Sequence, residues 1–190
     1  MHVLLHANMI TIMLSLKSLI LAEQAAERLL DARETLFRLG EPVKRLYVVI
    51  EGEVVLERLS QDGQRLILQR ARMGDVLAEA SFFAEAYHCD AVALTEARIT
   101  GASLSRLRIA SRNDPAVMEI IARHLAAQVQ QNRARAEILS LKRVSERLDA
   151  WIALNGGELP AKGGWHVLAD EIGVTAEALY RELARRKSGL

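Results

Sequence analysis

From Pro115 to Leu141 the sequence contains no glycine, and no proline after its first position. At the helical rise per residue such a run makes a single rod about 40 Å long. Asn113-Asp114-Pro115 marks its start, since Asp114 can cap a helix and Pro115 suits the first turn. A rod of this length cannot spend itself on one narrow face of a small domain. Apolar Val117, Ile121, Leu125, Val129, Ala136 and Leu139 recur at three- and four-residue steps. One stripe is expected to pack on the body of the protein and another on a twin helix. The dimer helix is thus read through Val117, Ile121, His124, Gln128, Asn132 and Arg135. The polar members keep the second stripe from being a clean heptad, so polar pairs are expected to set part of the register. The alternative is a core helix of a monomer.

The remaining composition narrows the class. A chain of 190 residues makes one mid-sized domain or two small ones, and 51% hydrophobic with 26% charged residues is ordinary globular material. A single cysteine, Cys89, excludes an intrachain disulfide and any cluster needing four thiolates, and suits a reducing cytosol. The net charge of +1 supplies no whole-molecule field for nucleic acid, so any such binding needs a local basic patch. Val3 to Leu21 is mostly apolar, but His6, Asn8 and Lys17 interrupt it and Met1-His2 gives no basic start. It reads as a soluble N-terminal helix or capping segment, not a membrane span or export signal. His2 and His6 have helical spacing without further ligands nearby and read as terminal surface residues.

Residues 34–102 read as short strands. Arg45-Leu46-Tyr47-Val48-Val49-Ile50 is β-rich, Gly52 marks a tight connection, and Glu53 to Leu59 follows. Gln61-Asp62-Gly63-Gln64 is a hairpin turn returning into Arg65 to Arg70. Residues 88–94 and 97–102 give two more strands. Such spacing predicts a small antiparallel sandwich or barrel. Residues 103–113 then read as a short helix, and residues 143–154 as an amphipathic one with Val144, Leu148, Trp151 and Ile152 inward.

The tail carries the sharpest pattern. Trp165 to Ile172 is a short helix, Gly173 a turn residue able to take positive φ, and Thr175 the cap of a second helix from Ala176 to about Lys187. Two short helices with a glycine-containing turn make a helix-turn-helix. Small Ala169 permits close crossing, while Val174, Leu179 and Leu183 face inward. The outward residues are Ala176, Glu177, Tyr180, Arg181, Arg185, Arg186 and Lys187. From Val174 to the end there are four basic and two acidic residues, a local charge of +2. Arg181 suits a guanine edge and Glu177 a cytosine amine, with Thr175, Arg185 and Lys187 on phosphates. The bland alternative is a solvated helix face.

The order sandwich, long helix, helix-turn-helix resembles the catabolite activator and fumarate–nitrate regulator (CRP/FNR) superfamily of bacterial transcription factors. The resemblance covers about residues 31–190. It is carried by residues 35–42, Leu46-Tyr47-Val48-Val49-Ile50-Glu51-Gly52-Glu53-Val54, Gly74-Asp75-Val76-Leu77-Ala78-Glu79 and the run Gly173 to Arg181. It implies an α+β fold: an antiparallel β-roll of the cyclic-nucleotide-binding jelly-roll kind, a long dimerisation helix and a C-terminal helix-turn-helix. By position Ala176, Glu177 and Arg181 match the family's base-reading residues. The usual arginine at the first is missing, so the operator is expected to differ. Double-stranded DNA, a second copy of the chain and RNA polymerase are the implied partners, with no membrane and a cytoplasmic location. The chain stops at Ser188-Gly189-Leu190, where the family's β-hairpin wing begins, so an incomplete wing and weaker phosphate contacts are expected.

The effector site departs further. The family's glutamate, which takes a ribose hydroxyl, is kept as Glu79, but the arginine and serine that hold the phosphate correspond to Cys89 and Asp90. An anionic phosphate would lose its charge-assisted partner there and face Asp90. Response to cyclic AMP is therefore not expected. The candidate effector pocket is Glu79, Ala80, Ser81, His88, Cys89 and Asp90, with no cofactor or metal assigned and an unknown small molecule as possible ligand. His88-Cys89 has the chemistry of a metal, haem or thiol-redox sensor. Neighbours in a strand point to opposite faces, however, which opposes a shared metal, and a lone buried cysteine is usually packing.

The expected organisation is a sensor domain over 1–113, a dimerisation helix over 114–141 and a DNA-binding domain over 142–190, with a hinge at Ser140 to Arg143. The leading reading is a homodimeric, sequence-specific transcriptional regulator. The alternative is an effector-sensing or protein-interaction module whose short tail does not bind DNA. No Ser/His/Asp arrangement, phosphate-cradling loop or paired-carboxylate signature argues for an enzyme.

Overall fold

A computed structural model of the chain describes residues 15–61, 65–160 and 162–188. Two compact units part within the long helix, Met1–Leu125 and Ala126–Leu190. Residues 1–14, with His2, His6 and most of the apolar N-terminal run, lie outside the described residues, as do Asp62-Gly63-Gln64 of the expected hairpin turn.

The first unit is the β-roll. Its elements are α1 (Leu16–Ala22), β1 (Arg28–Leu30), β2 (Thr35–Phe37), β3 (Arg45–Glu51), β4 (Val54–Leu59), β5 (Arg65–Ala71), β6 (Val76–Leu77), a 3₁₀ turn (Glu79–Ser81), β7 (Asp90–Ala93), β8 (Ala97–Ser103) and α2 (Leu104–Asn113). Two four-stranded sheets form, β1-β8-β3-β6 and β2-β7-β4-β5. Every strand pair is antiparallel. Alternation along β3 puts Leu46 and Val48 on one buried face, Val49 is buried as well, and the register shifts only after it, between Val49 and Glu51. Gly52 has φ +81°, and a Cβ there would stand 2.2 Å from the Glu96 carbonyl oxygen, so the β3–β4 turn needs glycine.

The α1 helix lies on β3 and β8 and buries Leu16 and Ile20 in the same core. A core that takes in both sheets, α1 and α2 also takes Val117, Ile120, Ile121 and Leu125 from the start of the long helix. Each fully buried aliphatic side chain there contributes about 1.5–3 kcal/mol. The long helix, α3, runs Pro115–Ser140, and Asp114 caps it by accepting the Ala116 N–H at 2.9 Å.

The second unit is helical: the end of α3, then α4 (Val144–Leu154), α5 (Trp165–Glu171) and α6 (Ala176–Lys187). Ile138, Leu148, Leu168, Ala169, Ile172, Leu179 and Leu183 form its core, with Val174 packed against it. Between its anchored ends α3 is bare: Ala126 and Ala127 are exposed, Val129 is 48% exposed, and Asn132, Arg133 and Arg135 face water.

Candidate nucleic-acid interface and effector site

The α5–turn–α6 segment is a helix-turn-helix. Gly173 has φ +65°, and a Cβ on it would meet Leu139 Cδ2 at 2.4 Å, so the turn lies hard against the last turn of α3. The Thr175 hydroxyl accepts the Ala178 N–H at 3.1 Å and caps α6. With Leu179 and Leu183 buried, the opposite face of α6 presents Ala176, Glu177, Tyr180, Arg181, Ala184 and Arg185 to solvent. Glu177 and Arg181 make no hydrogen bond or ion pair with any described residue, so their polar ends are free for a partner.

The basic residues at the end of α6 are used unequally. Arg185 is held by Glu182 through two 2.9 Å hydrogen bonds, from Nε to Oε2 and from Nη2 to Oε1. Lys187 Nζ lies 5.8 Å from the centre of the Trp165 ring, which also packs against Tyr180. Arg186, expected to point outward, is half-buried instead. It donates to Glu182 Oε1 at 2.7 Å, Asp149 Oδ1 at 2.7 Å and the Ser145 carbonyl at 3.1 Å. Helical periodicity places it on the flank between core and surface, and the acidic group of α4 draws it in. Glu182, between two guanidiniums that donate to it, is held down to about 2.

On α3, Val117 and Ile121 turn into the roll, Ile121 with 1% exposure, while Gln128 is half-buried and Asn132 and Arg135 are exposed. His124 is half-buried with a buried Nε2 that has no partner, and burial lowers its pKa.

In the roll the candidate effector residues do not all converge. Glu79 is 6% exposed, its Oε2 is buried without a partner, and desolvation, aided by the Asp75 charge, raises its pKa to about 7. Ala78, just before it, holds φ +69°, a left-handed conformation that orients the turn. Ser81 is buried, with Oγ 3.2 Å from His88 Nδ1, and Ala80 is exposed. Cys89 is buried and half-buried His88 precedes it, but both lie in the bend before β7 and not in a strand as the sequence suggests. Burial pushes the Cys89 thiol up to about 11. Asp90 is occupied, since its Oδ1 accepts the Leu39 N–H at 2.7 Å. Phe82 is in the core while Phe83 is 70% exposed. No group of three or more metal-ligating side chains occurs among the described residues. No described helix is long and apolar enough to cross a membrane.

Three arginines that sequence reasoning missed organise these regions. Arg58 donates from Nε to the His88 carbonyl. Arg108 of α2 donates to the Phe82 and Ala84 carbonyls at 2.8 and 3.0 Å, and so pins the loop after the 3₁₀ turn. Arg147 of α4 donates to four carbonyls around the helix-turn-helix. In sequence each is one more arginine on an amphipathic element; only tertiary proximity distinguishes it.

Residues 27–113 match the cyclic nucleotide-binding domain family. The global nitrogen regulator of Nostoc sp. is 23% identical over 175 residues, covering 83% of this chain and 78% of that protein. The CRP-like cAMP-activated global transcriptional regulator of Mycobacterium tuberculosis is 31% identical over 98 residues, which are 51% of this chain and 44% of that protein. Among solved structures, FixK2 from Bradyrhizobium japonicum shares the fold with a TM-score of 0.67 at 23% identity, over 87% of this chain and 86% of that one. The roll is thus similar to cyclic nucleotide-binding domains, and the chain resembles proteins named as transcriptional regulators, one of them CRP-like.

Proposed function

We propose that the chain is a homodimeric, sequence-specific DNA-binding regulator of transcription whose roll does not respond to cyclic AMP. The observation that carries the DNA reading is the outer face of α6. Glu177 and Arg181 stand exposed and unpaired on the helix that a buried Leu179–Leu183 stripe and a capped glycine turn hold in place. An arginine with a free guanidinium fork suits the O6 and N7 acceptors of guanine, and a free carboxylate accepts from a cytosine amine. The relatives named as transcriptional regulators support the same reading.

The departure from cyclic AMP rests on the phosphate position. Cys89 offers a buried, protonated thiol, and the Asp90 carboxylate already serves the Leu39 amide. Neither replaces a guanidinium as phosphate partner.

Selection from a random-sequence duplex pool tests this reading. The chain should enrich a two-fold repeated motif, and added cyclic AMP should leave its retention unchanged. Arg181→Ala should bind the selected duplex about 5- to 150-fold more weakly, the equivalent of about 1–3 kcal/mol, and relax preference at one position per half-site. No enriched motif, or equal retention of the variant, would refute the DNA reading. Enhanced retention with cyclic AMP would refute the effector reading alone.

A further inference from the structure

We propose that Arg147 is a positioning residue for DNA recognition, locking the turn ahead of α6 to the end of the long helix so that the two move as one body. The inference rests on the DNA-binding reading above. Its geometric basis is a guanidinium spent entirely on backbone carbonyls. Nε donates to Leu141 O at 2.8 Å and Nη2 to Leu139 O at 3.1 Å, while Nη1 donates to both Ile172 O at 3.1 Å and Gly173 O at 2.9 Å. Leu139 is in the last turn of α3, where carbonyls lack intrahelical partners, and a cation there also meets the negative end of the helix dipole. Ile172 and Gly173 form the turn of the helix-turn-helix. One planar fork thus bridges both, a geometry that lysine cannot reproduce.

Two further observations point the same way. The turn approaches α3 so closely that a Cβ on Gly173 would stand 2.4 Å from Leu139 Cδ2 and 3.3 Å from Arg147 Nη1. At the far end of α6, Arg186 fastens the recognition helix to Asp149 and Ser145 of α4. The helix is therefore held at both ends. The break at Leu141 to Arg143, within the stretch Ser140 to Arg143 where the sequence suggests a hinge, is spanned by Arg147. A change in the long helices then reaches the recognition helix as a rigid displacement, and the distance between half-sites follows the pairing of the rods.

The test compares the full chain with Arg147→Met and Arg147→Lys by duplex selection and by native-state hydrogen exchange. A part that only stabilises the fold would weaken all duplexes alike. A positioning part should leave base preference within each half-site intact and spread the preferred half-site spacing over neighbouring values. In Arg147→Met the Gly173 and Val174 amides should also exchange about tenfold faster or more, while amides of the roll keep their rates. Arg147→Lys should fall between, and it carries the spacing test if the methionine variant shows no cooperative unfolding. A single unchanged spacing in the variants overturns the proposal, as does uniform weakening with spacing preserved. If the unaltered chain selects no motif, the DNA reading has failed and the positioning role with it. The exchange rates then report separately whether the lock exists, and unchanged Gly173 and Val174 rates would remove that as well.

Discussion

Glu79 is the residue at which the roll departs most from a well-satisfied core. One carboxylate oxygen is buried with no hydrogen-bond partner, on a turn set by the left-handed Ala78. Ionising it there costs solvation that a hydrogen bond from its own backbone N–H returns only in part, and the Asp75 charge adds to the cost. Its pKa stands at about 7 in the folded chain against an ordinary 4.5. Between those values the folded state holds a proton that the unfolded chain has released. Stability contributed by the protonated form is therefore complete below about pH 4.5, declines as pH rises toward 7, and is flat above. The full span corresponds to about 3 kcal/mol. Glu79→Gln keeps the shape and cannot ionise. Urea midpoints should therefore agree with those of the unaltered chain at pH 4 and exceed them at pH 8. Parallel profiles for the two proteins across that range would show that Glu79 stays solvated. Burial acts on Cys89 in the same direction: a thiol pushed up to about 11 stays protonated at neutral pH, which favours packing over redox sensing.

At the scale of elements, local rules decide some features and tertiary partners the rest. Gly173 shows the first kind. Its φ of +65° is open to glycine, and an alanine would both strain the backbone and press on Leu139. Leu139 is a flexible side chain, 38% exposed, and can yield, so backbone strain dominates the cost. Gly173→Ala should lower the stability of the helical unit by about 1–2 kcal/mol. Both tryptophans of the chain, Trp151 and Trp165, lie in that unit, so their fluorescence during urea unfolding reports it. An unshifted midpoint would mean that the turn relaxes without penalty. This turn, the Thr175 cap, α3 and the strands β3 to β5 were legible because composition, capping and period act within a few residues. The two- and three-residue strands β1, β2 and β6 were not, since their pairing partners alone define them. The outward face of α6 was legible in outline, since burial of Leu179 and Leu183 dictates which residues meet solvent. Legibility failed at Arg186, which the Asp149 carboxylate of another helix turns inward, and at Arg147, whose role depends on residues far along the chain.

Over the whole molecule, the bare middle of α3 is the feature that a single chain leaves unexplained. An isolated helix of this length is only marginally stable in water, and burial of an apolar face usually supplies the rest. Here the roll claims the stretch through Leu125 and the helical core claims Ile138, while Val129 between them belongs to neither core. A twin helix would cover Val129 and give Gln128 and Asn132 partners of their own kind across the two-fold axis. In such an isologous pair a residue near the axis meets its own copy. Val129→Asp would then set two carboxylates against each other at the seam, a juxtaposition that costs several kcal/mol. Because Val129 contributes to no intrachain core, the variant should keep its circular dichroism and its two tryptophan environments. Sedimentation equilibrium should find the unaltered chain at twice its formula mass and Val129→Asp at the single mass. The variant should also lose most retention of the two-fold duplex, since each half-site alone offers only one recognition helix. If the unaltered chain sediments at the single mass at micromolar concentration, the rods do not pair. A fixed half-site spacing, and with it the positioning role of Arg147, would then have no structural source.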